Sequence, residues 1–98
     1  MVLTEGEILE GLSGFKENGW EYKNGRIVKK HEFKDQTKTK EFFNLIYDFG
    51  RSIDHDPVIS IIHPYVTVSL YTFCKKGITE KDFVLLGYIE EALKRYSL

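Results

Sequence analysis

The dipeptide Asn24-Gly25 fixes the first piece of architecture in this chain. It joins two runs of alternating apolar and polar residues, Trp20 to Lys23 and Arg26 to Phe33. A two-residue hairpin turn needs positive φ at both central positions, and Asn followed by Gly accepts that geometry readily. In the second run Ile27, Lys29, His31 and Phe33 share one side, and Val28, Lys30 and Glu32 share the other. A second pair of strands is predicted at residues 58–63 and 65–73, around His63-Pro64. There Val66, Val68, Leu70 and Thr72 read as the core face, and Thr67, Ser69, Tyr71 and Phe73 as the open face.

Helices are predicted between and around these hairpins. Thr4 with Glu7 three residues on is a capping-box pattern. It opens a helix to about Leu12, with Leu9 and Leu12 facing inward, and Gly14 and Glu17-Asn18-Gly19 break the chain after it. Asp35 or Thr37 caps a long second helix that ends near Ile53. Its residues Phe42, Phe43, Leu45, Ile46, Tyr47, Phe49, Gly50 and Ile53 span an apolar arc of roughly 200°, twice what one sheet contact needs. The surplus width predicts a partner subunit, with Phe49 as a candidate interface residue. Lys75-Lys76-Gly77 reads as a turn. Thr79 with Asp82 caps a last helix to about Tyr96, with Leu86, Ile89 and Leu93 on one stripe. The order α-β-β-α-β-β-α predicts an α+β fold, a four-stranded antiparallel sheet with helices on one face. At 98 residues this is one domain, 1–98.

Composition narrows the function. Net charge is −1, and the lysines between 29 and 40 are interleaved with Glu32, Asp35 and Glu41, which argues against a nucleic-acid surface. No run is long and apolar enough for a signal peptide or a membrane span, so a cytoplasmic protein is expected. The single cysteine, Cys74, cannot form an internal disulfide. Three scattered histidines have no metal-ligand spacing, and no Gly-rich phosphate cradle is present.

The chemistry gathers where the second helix stops and the second pair of strands begins, at Asp54-His55-Asp56-Pro57. His55-x-Pro57 resembles the His-His-Pro motif of the pterin-4a-carbinolamine dehydratases. The likeness extends over nearly the whole chain. Gly19-Trp20, Gly25-Arg26, Phe33-Lys34-Asp35 and Gly77-Ile78-Thr79-Glu80-x-Asp82 fall in the family's order and spacing. The resemblance implies dehydration of a 4a-hydroxytetrahydropterin to a quinonoid dihydropterin, a hydro-lyase reaction of tetrahydrobiopterin metabolism. One proton must reach the leaving hydroxyl and another must leave a ring nitrogen, and imidazoles suit both tasks.

Carried over by position, the resemblance makes His55, Asp56 and Asp82 the catalytic candidates, and Pro57, Tyr71 and Phe73 the substrate-binding ones. The chain departs from the pattern in several places. Asp56 stands at the second histidine, Phe73 at a third, Arg51 where an acid is usual, and His63 where an aromatic is usual. His63 cannot stand in for a lost histidine within one subunit, because it is six residues past Pro57, roughly 20 Å if extended. Tyr71 is nearer, and could offer a phenolic hydroxyl about 7 Å along the strand from Phe73. The bland readings are a solvated His55 that ends the helix, a turn aspartate at 56, and an Asp82 that only bonds its own cap.

Two functions are therefore expected from one fold. The first is a pterin-4a-carbinolamine dehydratase with altered or weak activity, acting on a reduced pterin as substrate and needing no cofactor. The second is a non-catalytic homo-oligomeric scaffold for binding or protein contacts. In either case the resemblance implies a homodimer or homotetramer, formed through the second helix and the sheet edge, with a protein partner also within the family's range. The sheet is expected to gather His55, Asp56, Tyr71, Phe73 and Asp82 around one concave solvent face.

Overall fold

The computed structural model describes residues 1–96. The chain runs α1 (Glu5–Leu12), β1 (Glu21–Lys23), β2 (Arg26–Glu32), α2 (Gln36–Ser52), β3 (Val58–Ile62), β4 (Tyr65–Leu70) and α3 (Glu80–Tyr96). Short 3-10 turns lie at Lys16–Asn18 and Phe73–Lys75. Asn24 and Gly25 turn β1 into β2 with φ of 52° and 77°, the positive values that the dipeptide predicts. The sheet order is β1-β2-β4-β3, antiparallel at every pairing. The fold is α+β, in the predicted order.

Strand alternation decides which face is covered. Ile27, Val66, Val68 and Leu70 are buried and join one core with Ile8 and Leu12 of α1, Phe42 and Ile46 of α2, and Leu85, Leu86 and Ile89 of α3. Val28, Thr67 and Ser69 on the other face stay half-exposed. The core face also carries Lys29, whose Nζ lies 2.8 Å from Glu90 Oε2 of α3. The same oxygen accepts from Trp20 Nε1 at 3.0 Å. A buried lysine needs such a partner, because removing its charge from water is costly.

Three expectations change. Leu9 is exposed and Ile8 is the buried residue of α1, because Ile8 and Leu12 lie one helical turn apart on the side that meets the sheet. β4 ends at Leu70; Thr72 then bridges Gly77, and the chain curls into the 3-10 turn that contains Phe73. Phe49 is half-buried and stacks on Tyr88 of α3, with ring centroids 3.8 Å apart. Its ring thus has a partner within the subunit while part of it stays exposed. The outward part of the α2 arc is the stacked pair Phe43 and Tyr47.

Candidate active site

The segment that carries His55 is pressed onto the last turns of α2. After Ile53 the chain reverses at Asp54, which has a φ of 55°. His55 N then donates to Gly50 O at 2.7 Å. Gly50 permits this approach: a Cβ there would stand 2.6 Å from His55 O and 3.0 Å from Pro57 Cδ. The close contact turns the imidazole inward, where it is 8% exposed.

From the other side, the first turn of α3 supplies Asp82, which is 0% exposed. Its Oδ2 accepts from the Thr79 amide at 2.9 Å and from Thr72 Oγ1 at 2.8 Å. Its Oδ1 lies 2.6 Å from His55 Nε2. Thr72 and Thr79 hydroxyls are 2.8 Å apart; with its own hydrogen given to Asp82, Thr72 accepts from Thr79. Three donors converge on one carboxylate, which is what a fully buried ionised acid requires. Asp82 thus caps α3 and holds His55 at once, joining the two readings that the sequence left side by side.

The bond to Asp82 assigns the proton of His55 to Nε2. Among the described residues, His31 Nε2 is the only buried side-chain nitrogen or oxygen without a partner. Nδ1 of His55, which bonds nothing among the described residues, therefore sits at the small part of the ring that meets solvent. A carboxylate-backed imidazole with one nitrogen at the surface can take a proton from a ligand and return it.

Among the described residues, no hydrogen bond or ring contact joins the remaining predicted residues to this pair. Asp56 is exposed, and no bond joins it to His55. Pro57 packs against Gly50. Tyr71 and Phe73 meet edge to face on the open side of the sheet, 4.9 Å between centroids, with Phe73 57% exposed. Arg26 lies over both rings, 4.6 Å from Tyr71 and 5.0 Å from Phe73. Direct contacts thus define two groups, His55 with Asp82, and Tyr71 with Phe73 and Arg26. Thr72, between Tyr71 and Phe73 in the chain, donates to Asp82 and so links the two groups. A cavity of about 470 Å³ touches the network through Thr72 and Thr79, flanked by Lys75 and Lys81, without reaching His55.

His63 is exposed at the turn between β3 and β4, at the opposite end of the strands from His55. His31 stands edge-on to Phe33, 4.8 Å between centroids. Burial, and then the Lys29 ammonium, hold its imidazole below the usual histidine range. Sequence reasoning gave Gly50, Thr72 and Arg26 no role in the site. Two signals pointed to the first two: a polar residue at a core-facing strand position, and a glycine inside an apolar helical arc just ahead of His-x-Pro.

Comparison with known proteins bears on this arrangement. A family model described as Pterin 4 alpha carbinolamine dehydratase matches residues 1–92. A protein of Sulfolobus acidocaldarius named "Putative pterin-4-alpha-carbinolamine dehydratase" is 34% identical, over 93% of this chain and 98% of its own. A protein of the same name from Picosynechococcus is 35% identical, over 91% and 95%. A crystal structure of a transcriptional coactivator/pterin dehydratase from Brucella melitensis superposes with a TM-score of 0.87 at 26% identity, covering 94% of this chain and 98% of that one.

Proposed function

This chain belongs to the pterin-4a-carbinolamine dehydratase family, and we propose that it dehydrates a 4a-hydroxytetrahydropterin at a lowered rate. The supporting observation is the His55–Asp82 pair: the histidine of the His-x-Pro motif, held at 2.6 Å by the aspartate of the α3 cap. In the reaction the C4a–O bond breaks, the hydroxyl leaves as water with one added proton, and a ring nitrogen gives up its proton. Net, one proton moves from nitrogen to oxygen. His55 Nδ1 carries it, and Asp82 fixes the ring and stabilises the imidazolium while it exists. Asp56, at the rim, shares the proton load as a base. Phe73, and Tyr71 beside it, wall the site. The pterin is consumed, so no further cofactor is needed.

The lowered rate follows from what Phe73 and Asp56 cannot do. Phe73 moves no proton, and Asp56 puts a carboxylate where the family pattern has an imidazole. The same two residues favour the second reading, a non-catalytic scaffold on this fold. One assay separates them. His55→Ala should reduce dehydration by about 10²- to 10⁴-fold, to the spontaneous rate. Phe73→His should raise it. Dehydration by the wild type that equals the uncatalysed rate, unimproved by Phe73→His, would leave the scaffold reading in its place.

Assembly belongs to the same proposal. β3 is an edge strand whose residues Val58, Ile61 and Ile62 are 46%, 44% and 75% exposed. An apolar edge with free backbone groups pairs readily with another strand. With Phe43 and Tyr47 on α2, it supports a homodimer or a tetramer of dimers. A monomer in sedimentation at micromolar concentration would refute this. A cytoplasmic setting is proposed too, supported by the unpaired Cys74.

A further inference from the structure

We propose that Arg26, together with Lys23, is an anion-recognition site beside the pterin site, so that the preferred substrate is a reduced pterin whose side chain carries a phosphate or a carboxylate. The inference rests on the pterin reading above and adds the charge of the ligand to it.

Three observations carry it. First, the Arg26 guanidinium is fixed on the rings of Tyr71 and Phe73, at 4.6 and 5.0 Å, yet among the described residues it has no carboxylate partner. Ring contact holds the group in place and leaves its N–H edge free, which is the part that binds an oxyanion in two-point fashion. Second, Lys23 stands directly opposite Arg26 in the β1–β2 ladder. Like charges at facing positions repel, and among the described residues no ion pair offsets this. An anion bound between the two would reverse the sign of that interaction. Third, by ladder register the nearest acid on β1 or β2 of that face is Glu21, opposite Val28 and one row away, and it is paired with neither cation. The row is therefore net positive at the end of the sheet where Phe73 exposes a ring face.

Thr72 connects this patch to the proton-transfer pair. Tyr71 and Phe73 flank Thr72, whose hydroxyl donates to Asp82, which in turn holds His55. Each ring residue is the chain neighbour of Thr72. A flat heterocycle lying on Phe73 would direct its substituent either toward the His55 end or across the strand toward Arg26 and Lys23. A neutral hydroxylated side chain gains little from two cations, whereas a phosphate or carboxylate gains charge-assisted hydrogen bonds from both.

The test uses the full chain and the intrinsic fluorescence of pterins. The probes are 7,8-dihydroneopterin, its monophosphate, and a dihydropterin 6-carboxylate, with inorganic phosphate as competitor. The charged probes should bind on the order of tenfold more tightly than the neutral one, with the margin shrinking as salt rises. Arg26→Gln should bring all three to the neutral affinity, and Lys23→Gln should remove part of the margin. The carboxylate and phosphate arms tell which anion the row prefers, and either preference supports the inference. Lys23 is exposed, so its variant keeps the test available if Arg26→Gln unfolds. Equal binding of charged and neutral probes would overturn this inference alone. So would a margin that survives both substitutions. Failure of every pterin to bind would overturn it together with the dehydratase reading.

Discussion

Replacing Asp82 with asparagine changes one charge and almost no volume, and the consequence can be worked out atom by atom. In the native site one oxygen accepts from Thr79 N and Thr72 Oγ1, and the other faces His55 Nε2 at 2.6 Å. The asparagine oxygen can keep the first two bonds. Its NH2 group then faces His55 Nε2, which must become an acceptor, so the ring proton moves to Nδ1. The surface nitrogen loses its lone pair, and with it the ability to take a proton. Exchanging one charge-assisted hydrogen bond for a neutral one should cost about 1–2 kcal/mol. For a domain of this size that lowers Tm by roughly 4–16 °C. Asp82→Ala is harsher, because it strands three buried donors, and it should cost about 3–5 kcal/mol. That is a large share of the roughly 5–15 kcal/mol such a domain possesses. The assay pairs the dehydration rate with the ¹⁵N shifts of the His55 imidazole. Asp82→Asn should stay folded, show the reversed tautomer, and lose about 10²- to 10⁴-fold in rate. A wild-type rate with the proton still on Nε2 would refute the assignment of Asp82 as the residue that positions His55.

Gly50→Ala should displace the 55–57 segment, since its Cβ would stand 2.6 Å from a backbone oxygen. We expect a loss of about 1–3 kcal/mol in a denaturant melt and a fall in activity, with no ionisable group altered. Glu90→Ala leaves the Lys29 ammonium buried and takes the acceptor from Trp20, so it should cost about 3–5 kcal/mol; pairing it with Lys29→Met should recover much of that, as a double-mutant cycle would show. His31 should make the protein acid-sensitive. Burial, then Lys29, lowers its folded pKa below the ordinary 6.5, with Glu90 and Glu32 opposing, so the unfolded chain binds the extra proton first. Its contribution is whole above about pH 6.5 and is lost as pH falls from there. His31→Phe should flatten that part of the stability–pH curve, measured as the difference between the two proteins' melts.

Local rules carried the elements well because each had a local cause: a turn dipeptide at 24–25, a capping box at Thr4, and strict alternation along β4. The candidate site was legible only as residue types. Its geometry depends on a contact between the end of α2 and the start of α3, 27 positions apart in the chain. No periodicity encodes that contact. What the sequence does record is its cost: a glycine at position 50 inside a helix, where a side chain would stabilise the helix, and a threonine at 72, where the strand pattern calls for an aliphatic. Both make sense only when His55 and Asp82 are seen to need them. Asp56 and Phe73 show the reverse. They replace groups that the family pattern would have used for proton transfer, and neither bonds the His55–Asp82 pair. The pair therefore does not depend on the positions that changed. It is secured by Gly50, Thr72 and Thr79. Substitutions at Asp56 and Phe73 should shift the rate and the choice of ligand, and substitutions at those three should shift the fold.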